Sequence, residues 1–231
     1  RRSVTQDESG EAALTQGLWA PSAVGMILFA FTITFASIDF LMALEPAWFS
    51  TIFGVYIFSG SVLAFYSFLG LAVLFLQRNG VLTLSITAEH RHDIGKMMFA
   101  FLVFWAYIAF SQFMLIWYAN IPEETFWFWE RTAINGKPTA WFGVSCVLVI
   151  CQFALPFLGL MSRHVKRHRV GLAFWGIWIL VFHYVDLYWI VMPTVSHDKV
   201  PFGVMDVCNL VGVAGVFVAA AAMQGTNGNL R

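Results

Sequence analysis

The chain has 231 residues, of which 59% are hydrophobic and 11% charged, with 13 basic and 13 acidic side chains that cancel. Soluble domains carry about 25% charged residues, so this composition excludes an ordinary soluble enzyme. The absence of net charge gives no footing for nucleic acid.

Taken in order, the polar segment 1–20 opens Arg1-Arg2 without an initiator Met and without a signal-peptide pattern. It reads as a cytoplasmic segment within a longer protein. Long apolar runs then follow, at Pro21–Ala43, Thr51–Gln77, Met97–Ala119, Thr139–Met161, Gly171–Met192 and Pro201–Met223. Each reaches the ~20 residues that a spanning helix needs. The runs are continuous rather than alternating, which favours helices over a barrel. The expected fold is all-α: a polytopic transmembrane bundle of about six spans over 21–223, with a tail at 224–231.

Six spans put both ends of the chain on one side. That side collects Arg1, Arg2, Arg78, Arg91, Lys96, Arg163, Lys166, Arg167, Arg169 and Arg231, against Arg131, Lys137 and Lys199 opposite. The positive-inside bias makes the first side cytoplasmic. Trp48, Trp117, Tyr118, Trp127, Trp129, Trp141 and Trp189 gather near the outer helix ends, as expected of an aromatic belt. The segment Glu123–Arg131 is expected on the membrane surface or against a partner.

Ionisable groups inside a span are costly and each is a functional candidate. Asp39, Asp186 and Asp206 all sit roughly 8–9 Å inside the outer helix ends, at 1.5 Å per residue. Tyr56, Ser59, Ser111, Gln112, Ser145, Gln152, His183, Tyr184 and Asn209 share that outer half. His183 and Asp186, at i and i+3, occupy one helix face. An imidazole beside a carboxylate suits a proton relay or a quinone head group; a polar contact between helices is the plainer alternative. Asp39 could cap backbone near Glu45-Pro46, and Asp206 suits a helix start.

On the inner side, Glu89, His90, Arg91, His92 and Asp93 precede the third run, and Lys96 lies just inside it. These residues could collect protons, Asp93 could cap the helix, or the group could be a solvated loop. No further ligand stands beside His90 and His92, and His183 has no partner His for haem. Cys146, Cys151 and Cys208 show no metal spacing and are expected as small buried hydrophobes. Pro156 is expected to kink its helix and free a carbonyl. Gly212, Gly215 and Ala219–Ala222 offer a small-residue packing face.

Five blocks carry a family resemblance: Ser37–Tyr56 (SIDFLMALEPAWFSTIFGVY), Glu89–Lys96 (EHRHDIGK), Phe104–Gln112 (FWAYIAFSQ), Trp117–Glu124 (WYANIPEE) and His183–Trp189 (HYVDLYW). Together they resemble the F subunit of bacterial alternative complex III, a quinol:electron-acceptor oxidoreductase, within the NrfD/PsrC-like membrane proteins. The resemblance implies a larger subunit of about ten helices in the bacterial cytoplasmic membrane, with this chain as its C-terminal part. It implies no cofactor bound by this chain, menaquinol in the complex, and haem c and iron–sulfur clusters in partner subunits. Those partners would be a related NrfD-like membrane subunit, an iron–sulfur subunit, multihaem cytochromes c and small membrane subunits.

Carried over to this sequence, the family's motifs place Asp39, Tyr107, Ser111, Gln112, His183 and Asp186 within the bundle, and with Tyr56 these are the expected members of a proton pathway. Glu89, His90, His92, Asp93 and Lys96 form its cytoplasmic entry. The expected function is a membrane subunit of the oxidoreductase that contributes a proton path and assembly support. A quinol-binding subunit in its own right and a structural anchor are the alternatives. A free-standing transporter would show inverted repeats, and none is evident.

Overall fold

A computed structural model describes residues 16–80, 83, 85–197 and 199–227. Most of the N-terminal polar segment and the last residues of the tail, with Arg1, Arg2 and Arg231, lie outside the described residues.

The apolar runs form helices because a backbone in lipid must satisfy its own polar groups. Helix α1 is Trp19–Phe40, followed by a short 3-10 turn at Met42–Leu44; α2 is Phe53–Arg78 and α3 is Ala88–Ala119. Asn120 ends α3 with a positive φ of 50°, and Pro122 opens α4, Pro122–Arg131. A two-stranded hairpin, β1 (Ala133–Ile134) and β2 (Lys137–Pro138), comes next. It turns on Asn135-Gly136, both with positive φ, the requirement of a type I′ turn. Then α5 (Phe142–Val147), a π-helical stretch at Leu148–Ala154 and α6 (Leu155–Met161) form one continuous rod. The short α7 (Arg163–Arg167) leads into α8 (Arg169–Val195), and α9 is Val204–Asn227.

The chain is an all-α helix bundle. Among the described residues, five helical segments are long and apolar enough to cross a membrane: Trp19–Leu44, Phe53–Arg78, Ala88–Ala119, Phe142–Met161 and Arg169–Val195. The sixth expected span is helical, but its apolar stretch, Val204–Ala220, is shorter.

Three expectations change. Helix α3 begins nine residues before Met97, so Glu89–Lys96 forms helical turns and not a loop. Thr87, with extended backbone, starts the helix, and its N–H donates to His90 Nδ1 at 3.2 Å. Asp93 is therefore no cap; it pairs with Lys96 at 2.7 Å. The aromatic belt splits: Trp117, Tyr118 and Trp129 are exposed, whereas Trp48, Trp127 and Trp141 are buried. Trp48 stacks on Trp127 with centroids 4.5 Å apart, and its Nε1 donates to the Glu124 carbonyl. The cysteines are free, and Cys146 and Cys208 are exposed rather than buried.

The π-helical stretch stands where a kink is expected. Pro156 lacks the N–H that a π-helical ladder would direct to the Cys151 carbonyl. The Trp178 indole N–H donates to that oxygen at 2.8 Å instead. The carbonyl freed by the proline is thus satisfied from α8, as lipid demands.

Two buried clusters fill the bundle. Toward the Trp-rich end lie Trp48, Phe53, Tyr56, Ile57, Trp105, Ile108, Ile116, Trp127 and Ile190. Toward the Arg- and Lys-rich end lie Leu63, Met98, Leu102, Leu160, Leu172 and Ile179. Gly159 is required by the second region, because a Cβ there would overlap the Trp175 ring. Gly159→Ala is expected to cost about 1–3 kcal/mol, the usual penalty of overpacking. Gly143→Ala, with nothing within 4 Å of its Cβ, is expected to cost nothing. Denaturant unfolding in micelles compares the two.

Candidate functional site

The site forms where α2, α3, α4, the π-helical stretch and α8 meet near the Trp-rich end. A cavity of about 680 Å³ opens there, within the ~300–1,000 Å³ usual for small-molecule sites. Its walls are apolar and aromatic, with Phe53, Trp105, Phe110, Phe113, Trp127, Phe128, Leu148, Val149 and Phe153 among them. Tyr107 and Phe110, both more than 60% exposed, stand at its lipid-facing mouth. Tyr56, Gln112, Thr132, Ser145 and Asp186 give it a few polar groups.

Asp186 decides the character of the site. It is 1% exposed, and its Oδ1 accepts a short hydrogen bond from the Tyr56 hydroxyl. The Trp105 ring lies 5.9 Å from that of Tyr56, with Nε1 buried and without a hydrogen-bond partner. A buried carboxyl held by a phenol and flanked by an indole gives the apolar cavity a polar end.

The expected His183–Asp186 pairing does not form. Residues three apart on a helix differ by about 60° in direction, and the two side chains meet different neighbours. Asp186 reaches Tyr56 on α2. His183 turns to Gly60, where a Cβ would come 3.0 Å from His183 Cε1 and 3.4 Å from the Trp105 ring. His183 Nδ1 is buried and unpartnered.

The other expected site residues divide. Gln112 is buried and lines the cavity, as Tyr107 does at its mouth. Ser111 is half-buried and not among the lining residues. Asp39 is exposed near the end of α1, away from this group. Asp206 serves its own helix, accepting the Gly203 N–H at 2.8 Å. At the opposite end Glu89 pairs with Arg167 and Asp93 with Lys96. The aliphatic cluster from Leu63 to Ile179 separates that end from Tyr56 and Asp186. Gly212 and Gly215 have nothing within 4 Å of a Cβ, so their face is unpacked within this chain. Among the described residues, no three of His, Cys, Asp and Glu come together as metal ligands.

Arg131, taken from sequence only as an outer-side charge, is fully buried. Its Nη1 donates to the Trp127 carbonyl and its Nη2 to the Ile190 carbonyl, each at 2.8 Å; Nε donates to the Trp189 carbonyl at 3.3 Å. The guanidinium carbon lies 3.6 Å from the Trp127 ring centroid and 5.5 Å from that of Trp189. Burial pulls the group down to about 9, so it stays cationic at neutral pH. Ser145 joins the same network, donating to the Arg131 carbonyl at 2.7 Å and accepting from Trp189 Nε1 at 2.8 Å. The signal was an arginine two residues after the aromatic run Phe126–Trp129; the Asn135-Gly136 dipeptide that follows is the signal for the hairpin.

No protein-family model matches this chain, and no curated protein matches it either.

Arg131→Gln is expected to destabilise the fold by about 2–4 kcal/mol, because charge-assisted bonds to three carbonyls and the stacking on two indoles are lost together. The α4–hairpin unit should loosen first. Limited proteolysis between residues 132 and 140 is expected to speed up in the variant and not in the parent.

Proposed function

We propose that this chain is an integral membrane subunit of a quinol:electron-acceptor oxidoreductase of the alternative complex III type, and that it holds a quinol head group at Tyr56 and Asp186. The observation that carries this is the apolar slot ending on a buried carboxyl–phenol pair. An isoprenoid quinol needs an apolar route from lipid, a flat aromatic-walled chamber and a polar group at its end. The slot supplies each: a mouth at Tyr107 and Phe110, walls from Trp105, Phe128 and Phe153, and Asp186 with Tyr56 at the head.

In this reading the Asp186 carboxylate accepts a proton from a quinol hydroxyl. Tyr56 orients the carboxylate by donating to Oδ1. Oxidation of the quinol to quinone releases two protons, which would leave through the Asp186 carboxylate one after the other, and two electrons, which iron–sulfur or haem groups of partner subunits would accept. The chain itself sits in a bacterial cytoplasmic membrane beside a related membrane subunit, with its Arg- and Lys-rich end in the cytoplasm.

A proton path from Glu89, His90, His92, Asp93 and Lys96 to Asp186 is the rival role. Within this chain the aliphatic cluster lies across that route, which favours the quinol role.

In the purified complex, Asp186→Asn is expected to slow quinol-dependent electron transfer by about 10²-fold or more, the weight of a general base. Tyr56→Phe should slow it less. A photoreactive azidoquinone should label segments 103–113 or 145–153. Unchanged electron transfer with label confined to other subunits would sink the proposal. Intact electron transfer with lost proton translocation in Asp186→Asn would assign the pair to a proton path instead.

A further inference from the structure

The opposite end of the bundle carries a second polar arrangement that the quinol reading does not use. The segment from Arg163 to Arg169 (RHVKRHR) packs α7 against the first turns of α3. The acids there are already engaged: Glu89 by Arg167 and Asp93 by Lys96. Lys166 is left with a different surrounding. It is only 8% exposed, and its stem lies across Gly95, where a Cβ would come 2.8 Å from Lys166 Cγ. Its Nζ ends 5.1 Å from the Phe99 ring centroid. Burial, with the like charge of Lys96 beside it, holds its ammonium below the ordinary lysine value. Beside it, His92 Nε2 is buried without a hydrogen-bond partner. His92 is faced by Lys96, Lys166 and Arg163, with Asp93 the opposing charge.

A cation on a mostly buried side chain, with no carboxylate partner among the described residues, is costly. An unpartnered ring nitrogen adds to that cost. Both are relieved by one anion.

We propose that this corner holds the phosphate of an anionic phospholipid, with Lys166 and His92 donating to its oxygens and Arg163 at the rim. A lipid fits better than a free anion. Met161 and Val170, both exposed and apolar, flank α7 and give acyl chains a surface to follow. Basic corners between helices at a membrane face suit such head groups.

The test uses the full-length protein, purified with its complex and delipidated, titrated with dioleoylphosphatidylglycerol or dioleoylphosphatidylcholine in mixed micelles. Native mass spectrometry reads the bound lipid. The glycerol lipid should be retained and the choline lipid washed away. Lys166→Gln should weaken retention roughly fivefold, the effect of one basic group near a lipid surface. Lys166→Arg should keep it. Arg78→Gln removes the same charge elsewhere on this end and should change nothing. His92→Leu reads the site independently if Lys166→Gln fails to fold, and should also weaken retention. Equal retention of the two lipids, or equal losses in Lys166→Gln and Arg78→Gln, would overturn the site. Inorganic phosphate binding as tightly as the glycerol lipid would overturn the lipid assignment in favour of a soluble anion.

Discussion

The Trp-rich end of this molecule depends on one buried guanidinium. Helix α8 contains Pro193, which cannot donate to the Trp189 carbonyl four residues earlier. Arg131 supplies the missing donor from α4 and takes the next carbonyl, Ile190, as well. It also holds the Trp127 carbonyl of its own helix. The same problem is solved at Pro156, where the Trp178 indole takes the Cys151 carbonyl. In both places a proline breaks a backbone bond in apolar surroundings, and a side chain from the neighbouring helix replaces it. Helix breaks and helix contacts are therefore one feature here.

This constraint shapes the cavity. Pinning α4 against α8 places Trp127, Phe128 and Thr132 as one wall. The π-helical stretch at Leu148–Ala154 supplies Leu148, Val149 and Phe153 for another. A regular α-helix through the same residues would turn these side chains differently, since a π-turn inserts an extra residue. The slot thus lies beside two backbone irregularities, each stabilised from outside its own helix. Ser145, on the rod that carries the π-helical stretch, ties that rod to Arg131 and Trp189 beside the other break.

The bundle was legible because lipid-facing chemistry is written in composition. Long apolar runs fix the helices, and five meet the length and hydropathy of spans. Boundaries were less legible where a span extends past its apolar part: Glu89–Lys96 is polar yet helical, because Thr87 and His90 start the helix two turns early. The site was legible in its residues and not in its pairings. Tyr56 and Asp186 were both candidates, but residue spacing within one helix pointed Asp186 toward His183. The actual partner, 130 positions away, depends on the packing of α2 against α8, which spacing within a helix does not encode. Trp48 and Trp127 were misplaced for a related reason. An indole at a helix end satisfies a belt and a packed cap equally well by sequence, and only the fold of α4 back onto the bundle distinguishes them.

The contrast between the two ends follows from what each does with its unpaired groups. At the Trp-rich end, a cation is surrounded by carbonyl oxygens and π faces, all supplied by the chain, so it needs no anion and adds rigidity. The carboxyl of Asp186 nearby accepts from the Tyr56 phenol, lies beside the Trp105 indole and lines the slot. At the other end, the acids are consumed by Arg167 and Lys96, while Lys166 and His92 remain with donors to spare. Between them stands a largely apolar layer built on Leu63, Met98, Leu102, Leu160, Leu172 and Ile179, with Tyr66 and Ser67 beside it. A charge that changes at Asp186 is thus felt first by Tyr56, the indole of Trp105 and whatever occupies the slot. That ordering favours chemistry with a ligand entering from the lipid over exchange with the far end of the same chain.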